Sequence, residues 1–159
     1  MGRAPPYVPQ MSQMTYALPD PDYQAEFYAD VPLKRALAWV VDAILIAITT
    51  IVIIPFTAFV GLFFLPVLYF TISFIYRTIS LARKSATPGM RLMAIEFRDR
   101  NGQHFDVATA FLHVLGYTLT IGTMLPQLLS MMLMATGPRG QGLTDLVLNT
   151  VAINRPARG

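Results

Sequence analysis

From Ala43 to Tyr76 the sequence reads AILIAITTIVIIPFTAFVGLFFLPVLYFTISFIY, a run of about 34 residues without a formal charge. A helix crosses the hydrocarbon core of a bilayer with roughly 20 residues, so this run is too long for one untilted span. Pro55 interrupts it near the middle. The pattern therefore predicts two transmembrane helices, at about 33–54 and 59–80, joined by a tight turn, with Pro66 kinking the second helix.

The composition of the whole chain agrees with a lipid environment. Apolar residues make up 54% and charged residues 13%, whereas a soluble domain carries roughly 25% charged residues. There are no cysteines, which excludes disulfides, thiolate metal sites and cysteine nucleophiles. The net charge of +3 in such a chain reports orientation in the membrane, and we expect no nucleic-acid partner, no metal and no cofactor.

The two ends of the chain differ from the rest. Residues 1–30 contain five prolines among polar residues and no apolar segment of the kind found in a secretory signal. Such a segment cannot bury enough surface to offset its ordering entropy, so the sequence predicts a disordered tail there. The domain boundaries that follow are a tail at 1–30, a membrane domain at 31–154 and a short tail at 155–159.

A polar loop follows the first two helices. Its six cationic residues between positions 77 and 100 place it in the cytoplasm, so the N-terminus also lies inside and the turn at Pro55 outside. Apolar and polar residues alternate over 93–98, and Asn101-Gly102 is a strong hairpin signal. We therefore predict a small cytoplasmic β-hairpin at about 90–106, with residues 103–105 as its return strand.

A third hydrophobic segment, predicted as helix over about 108–136, leaves two topologies open. Its length is long for one span and short for two, and Gly122 and Pro126 favour a break. It either enters and returns as a short or re-entrant hairpin, or crosses once as a tilted span. The cationic C-terminal segment favours a return to the cytoplasm. Residues 150–153 also resemble a strand, which could add a third strand to the hairpin only from the cytoplasmic side.

Two charges lie in or near the first helix. Asp42 is about 12 Å inside it, and Arg35 precedes it by two turns on the same face, about 10.5 Å away along the axis. A carboxylate at that depth is costly and normally has partners. It either handles an ion or a proton, or it orients the helices through hydrogen bonds. Its candidate partners are Ser73, His113 and Tyr117, which lie at a similar depth, and Tyr69 and Tyr76, which share a polar face of the second helix with Ser73.

Three motifs give the chain a resemblance to a known family. Residues 33–42, LKRALAWVVD, are similar to the opening of RDD family membrane proteins, in which an arginine begins the first helix and an aspartate lies within it, as Arg35 and Asp42 do. Residues 87–92, TPGMRL, resemble the family's Thr-x-Gly-Lys-x-Leu segment. Residues 142–151, GLTDLVLNTV, resemble its closing Leu-His-Asp-x-x-x-Gly-Thr-Val motif.

The chain departs from these motifs at three positions: Met90 replaces the lysine, Thr144 the histidine and Asn149 the glycine. The resemblance implies a multi-pass protein of the cell membrane, of the bacterial inner-membrane kind. It also implies that Asp145 belongs to the buried charge network with Arg35 and Asp42, although Asp145 could instead cap a short helix beginning at residue 146. Ligand transport or sodium–proton exchange is suggested for some members of the family.

The resulting fold class is an all-α membrane helical bundle with a small cytoplasmic β-element, and two functions remain open. The first is a small-solute or ion transporter with Asp42 as its buried carboxylate, acting as a homo-oligomer or with a membrane partner. The second is a non-transporting scaffold or accessory subunit whose buried charges serve helix assembly. We expect no enzymatic activity, because the chain has no His-Glu-x-x-His motif, no cysteine and no second deep aspartate.

Overall fold

The computed structural model describes residues 18–155. Its helices are α1 (Val31–Ile53), α2 (Leu65–Lys84), α3 (Pro88–Leu92), α4 (Val107–Ile121), α5 (Met124–Thr136) and α6 (Leu143–Leu148), and its strands are β1 (Ile95–Arg98) and β2 (Val151–Asn154). Short 3-10 turns lie at Ala25–Phe27, Ile54–Thr57 and Val60–Leu62. Most of the predicted N-terminal tail, residues 1–17, and of the C-terminal tail, residues 156–159, falls outside the described residues.

Two helices are long and apolar enough to cross a membrane, as predicted. The first, α1, ends at Ile53, and Pro55 lies in the 3-10 turn that follows. The second, α2, begins at Leu65 and not at residue 59, so the predicted kink at Pro66 was wrong. Pro66 is instead the second residue of α2. The first turn of a helix needs no N–H donor, and the fixed φ of proline suits that position.

The third hydrophobic segment is broken. Helices α4 and α5 meet at an angle of 115° around Gly122. Strand β1 precedes this pair and β2 follows it, yet the two strands pair antiparallel, with Ile95 opposite Asn154 and Arg98 opposite Val151. The chain must therefore come back to the same end of the helices, which favours the returning topology over a single tilted span.

The small antiparallel sheet is confirmed, but its second strand is not the predicted one. The turn after β1 forms, with the Gly102 N–H donating to the Asp99 carbonyl. Residues 103–105 do not continue as a strand, because the Phe105 N–H donates to the Ser85 hydroxyl just after α2. The Phe97 N–H donates to the Ser85 carbonyl. The end of α2 thus takes the place of the predicted return strand, and β2 alone pairs with β1.

The core lies around this sheet, at the end of the bundle formed by the start of α1 and the end of α2. Its buried apolar residues include Val31, Ala38, Leu81, Ile95, Phe97, Ala110, Val114 and Ala152. The rest of α1 and α2 carries exposed aliphatic side chains such as Ile44, Ile48, Ile51, Val67, Ile75 and Ile79. Exposed apolar surface of this extent is typical of a lipid-facing helix.

Part of the predicted tail packs against the sheet. Leu18 and Tyr28 are buried in a small cluster with Val151 and Ile153 of β2. The side-chain amide of Asn154 donates to the backbone carbonyls of residues 26 and 29. Residues 18–30, which the sequence assigned to a disordered tail, therefore have a packed position, because the outer side of β2 offers apolar surface to cover.

Candidate functional site

Asp42 lies midway along α1 with 1% of its surface exposed. Its carboxylate accepts hydrogen bonds from the Tyr76 hydroxyl (2.8 Å), the Thr87 hydroxyl (2.6 Å) and the Gly89 N–H (2.9 Å). We call Asp42, Tyr76, Thr87 and Gly89 the Asp42 cluster. It ties α1 to α2 and to the start of α3.

The local sequence explains how α3 reaches Asp42. Thr87 is the N-cap of α3, and its hydroxyl accepts from the Met90 N–H while donating to Asp42. Residues 88–92 thus form a short helix with proline at its first position. A Cβ at Gly89 would lie 2.3 Å from the Ala38 carbonyl oxygen. Only glycine lets α3 approach α1 this closely.

Asp145, the third residue of α6, is equally buried at 1% exposure. Its carboxylate accepts from Arg35 Nη1 (2.6 Å), the Gly142 N–H (3.0 Å) and the Thr150 hydroxyl (3.0 Å), and lies 2.8 Å from His113 Nε2. We call these five residues the Asp145 cluster. The acid both pairs with the arginine and caps a helix, but that helix begins at residue 143 and not 146.

The environment of Asp145 keeps its carboxyl ionised. Burial raises the pKa of this group, but the Arg35 guanidinium, the His113 hydrogen bond and the Gly142 N–H lower it further than burial raises it. The result is a pKa well below the usual range of an aspartate. Asp145 therefore acts as a fixed negative charge that joins α1, α4, α6 and Thr150, the residue before β2.

A second arginine, Arg77 of α2, lies beside Asp42 and was missed as a site residue from the sequence. Its side chain is 12% exposed, and Nη1 is 3.6 Å from Asp42 Oδ2, longer than a hydrogen bond. Its Nε has no hydrogen-bond partner among the described residues. The guanidinium stacks 4.8 Å from the centre of the Tyr117 ring. Its position four residues after Ser73, on the polar face of α2, was the available signal.

Two cavities adjoin at these clusters. An inner cavity of about 90 Å³ is lined by polar and aromatic side chains that include Arg35, Trp39, Asp42, Arg77, His113 and Tyr117. An outer cleft of about 460 Å³ lies between α1, α4, α5 and α6, and its lining includes Ala36, Gln127, Ser130, Met131 and Met134. Arg35, Trp39, His113 and Tyr117 line both spaces. The Trp39 Nε1–H donates to the Tyr117 hydroxyl (2.7 Å) at the boundary.

The predicted partners of Asp42 separate into two groups. Tyr76 bonds to Asp42, whereas His113 bonds to Asp145, which lines the outer cleft. His113 is buried beside the stacked rings of Phe97 and Phe105, with centroids 4.5 Å and 5.4 Å away. The third hydrophobic segment thus brings its histidine to the second carboxylate.

The remaining predicted partners do not touch Asp42. Tyr117 accepts a hydrogen bond from Trp39 and borders both cavities. Ser73 is buried on α2 and has no hydrogen bond to Asp42. Tyr69 packs edge-on against Phe70 and lines neither cavity. Among residues 18–155, no three His, Cys, Asp or Glu side chains are grouped so that they could hold a metal ion.

Comparison with known proteins gives one match. A family model described as RDD family matches residues 30–149, a range that contains Arg35, Asp42 and Asp145. No curated protein and no solved structure matches the chain. Of the three departures from the motifs, Asn149 has φ +53°, a left-handed conformation that glycine and asparagine both adopt. Asparagine in place of the motif's glycine is therefore compatible with the backbone conformation at position 149.

Proposed function

The chain belongs to the RDD family, and from this premise we propose that it is a multi-pass membrane protein that binds a small solute between α1, α4 and α5 and transports it. Helices α1 and α2 cross the bilayer, while α4 and α5 enter it and return. The end that carries the sheet lies in the cytoplasm, because cationic residues gather there. These include Lys34, Arg83, Lys84, Arg91, Arg98 and Arg100. A bacterial inner membrane is the expected location.

The topology can be tested by labelling single cysteines, since the chain has none of its own. Cysteines replace Thr57, in the turn between α1 and α2, and Gly159, at the C-terminus. In intact cells a membrane-impermeant thiol reagent should label position 57 and not position 159. Labelling of position 159 from outside would overturn the returning topology of α4 and α5.

The adjoining inner cavity and outer cleft carry the transport proposal. The outer cleft, at about 460 Å³, falls in the range of roughly 300–1,000 Å³ that is usual for small-molecule sites. Its wall is mostly apolar, with a few polar groups such as Gln127 and Arg35. A bundle with so few helices encloses a path across the bilayer only as a homo-oligomer or with a membrane partner, so we propose such an assembly.

Asp42 has an assembly role in this proposal, not a role on the path. A carboxylate offers about four lone-pair positions, and three are taken by Tyr76, Thr87 and Gly89. A cation that used both carboxylate oxygens would have to displace those donors, which hold α2 and α3 to α1. The solute contacts are instead assigned to the side chains that line the two cavities.

Flux in proteoliposomes tests the proposal. Ala36 lines the outer cleft, whereas its neighbour Leu37 is exposed and does not. With imposed gradients of protons, sodium and chloride, wild-type protein should carry a measurable flux. Ala36→Phe, which fills the cleft, should remove most of it, and Leu37→Phe should leave it unchanged. Equal loss in both variants, or full flux in Ala36→Phe, would contradict a path through the cleft.

A non-transporting scaffold is the second candidate, and the hydrogen bonds made by both carboxylates favour it. Asp42 and Asp145 use their oxygens on donors from other elements, as expected of charges that only hold helices together. Wild-type protein that is folded and inserted but carries no flux in any gradient would favour this function. Recovery of a stoichiometric membrane partner after crosslinking would then identify what it supports.

A further inference from the structure

The inner cavity has an excess of unused hydrogen-bond donors, and from this we propose that it binds a small anion between Arg35 and Arg77. The proposal deepens the transport function and rests on it for its physiological meaning, but binding itself can be measured separately. The ligand class is a compact anion such as chloride, formate or inorganic phosphate. It would reach the cavity from the outer cleft, past the hydrogen bond between Trp39 and Tyr117.

Arg77 supplies most of the free donor capacity. A guanidinium has five N–H donors and no acceptor. The nearest carboxylate oxygen to Nη1 is 3.6 Å away, and Nε has no partner among the described residues. The side chain is nevertheless 88% buried, as follows from its 12% exposure. A buried guanidinium without hydrogen bonds is unfavourable, so this position calls for an acceptor that the described residues do not supply.

Arg35 adds donors from the other side of the cavity. Both of its hydrogen bonds, to the Gly140 carbonyl and to Asp145, use Nη1. Its guanidinium stands 5.2 Å from the centre of the Phe97 ring. The other guanidinium nitrogens have no hydrogen-bond partner among residues 18–155 and belong to a side chain that lines the inner cavity. Two planar cationic groups therefore face one small space.

Most of the acceptors near the cavity are already used. Asp145 accepts from Arg35, Gly142 and Thr150 and also contacts His113. The Tyr117 oxygen accepts from Trp39 and keeps its own O–H to donate.

Asp42 is the like charge nearest to the proposed anion, and it accepts three hydrogen bonds from its own cluster. A ligand must therefore bring acceptors, and charge-assisted hydrogen bonds to guanidinium favour an anion over a neutral acceptor.

The cavity volume restricts the ligand to a few atoms. About 90 Å³ has room for a small anion or a few waters. Water alone is the alternative occupant, and it would satisfy the same donors with no net charge. The two cases differ in one measurable respect, because only an anion site shows saturation when one anion replaces another at constant ionic strength.

Trp39 reports on the site directly, because it is the only tryptophan in the chain and lines both cavities. Its fluorescence is measured in detergent-purified, full-length protein while chloride, formate or phosphate replaces gluconate at constant sodium. The variants are Arg77→Gln and, as the matched control, Arg83→Gln, which removes an exposed arginine from the same helix. A second series replaces choline by sodium at constant chloride.

We expect a saturable change in the wild type and in Arg83→Gln for at least one of these anions. Its affinity should fall about tenfold or more in Arg77→Gln, the loss expected for one charge-assisted hydrogen bond. If Arg77→Gln does not fold, Arg77→Lys takes its place and should bind several-fold more weakly. Three outcomes would each overturn the anion site. They are a wild-type response that does not saturate, as expected of water alone, an unchanged affinity in the Arg77 variant, and a response that follows sodium. Binding without flux would keep the site and overturn transport.

Discussion

The two buried carboxylates of this protein are alike in burial and differ in how their charge is balanced. Asp145 Oδ2 forms an ion pair with Arg35 Nη1 at 2.6 Å. Asp42 is held by two hydroxyls and one backbone N–H, and its nearest cation, Arg77, stays at 3.6 Å. The difference indicates that Arg35, and not Arg77, is the arginine that stabilises the fold through a hydrogen-bonded ion pair. The hydrogen-bonded pair holds elements together, whereas Arg77 lies within ion-pair distance of Asp42 without a hydrogen bond to it, so its N–H groups remain available to a ligand.

The clusters also differ in the distance along the chain that they span. The Asp42 cluster joins α1 to α2 and α3, which follow it directly in sequence. The Asp145 cluster joins α1 to α6, with a separation of 110 residues between Arg35 and Asp145. Loss of the second cluster therefore frees the C-terminal part of the molecule, including β2, while loss of the first loosens neighbouring elements only.

Replacement of Asp145 should have the largest effect on stability. Asp145→Asn leaves Arg35 buried without its counter-charge, and removal of one partner of a buried pair destabilises by about 3–5 kcal/mol. The free energy of unfolding in detergent, followed by circular dichroism, measures the loss. Asp22→Asn, at an exposed position, should be neutral. A loss in Asp145→Asn no larger than in the control would contradict a structural role for the matched pair.

The Asp42 cluster should tolerate the loss of one donor better. Tyr76→Phe removes a hydrogen bond to a carboxylate, which contributes about 1.5–3 kcal/mol. Tyr69→Phe is the matched control, since that tyrosine lies on the same helix and does not contact Asp42. Unfolding midpoints of the two variants give the comparison. If Tyr76→Phe is as stable as Tyr69→Phe, the hydroxyl does not hold α2 to Asp42.

Close approach of α3 to α1 should make Gly89 sensitive to an added methyl group. Gly89→Ala places a Cβ 2.3 Å from the Ala38 carbonyl oxygen, and overpacking of this kind typically destabilises by about 1–3 kcal/mol. At Gly122 the nearest atom would be 3.3 Å away, so Gly122→Ala serves as the control and should change the unfolding midpoint little. Equal midpoints for both variants would contradict the tight contact between α3 and α1.

The pH dependence of the Asp145 cluster should give the smallest effect near neutrality. The folded-state pKa of Asp145 lies below its unfolded value of about 3.9. Its stabilisation is therefore complete above about pH 4 and is lost as the pH falls through the folded-state pKa. The difference in unfolding free energy between wild type and Asp145→Asn should be constant from about pH 5 to 8 and decrease in more acidic buffer. A change within that constant range would assign the titration to another group.

Much of the helical fold could be predicted from local signals. The uncharged run and Pro55 identify α1 and α2, and Gly122 marks the break between α4 and α5. The sheet could only be predicted in part, because the partner of β1 lies about 55 residues further along the chain and hairpin signals such as Asn101-Gly102 report local turns alone. Contacts of this range are decided by tertiary packing.

The candidate site was predictable where a charge stood out against apolar neighbours. Asp42 and Arg35 stand out in this way. Arg77 lies next to the cationic loop and was counted among the loop residues, although it belongs to α2. His113 could be placed on the third segment from the sequence. Whether it contacts Asp145 or Asp42 depends on how α4 is rotated about its axis, and the sequence of one helix does not determine that rotation.

The most direct test of the assembly role of Asp42 is the flux of protons, sodium and chloride in proteoliposomes for the wild type and Asp42→Asn, normalised to folded, inserted protein. If Asp42 serves assembly, Asp42→Asn should unfold more readily and should retain the flux of the wild type per folded molecule. Flux that disappears from a variant of unchanged stability would contradict this role and would place Asp42 on the transport path.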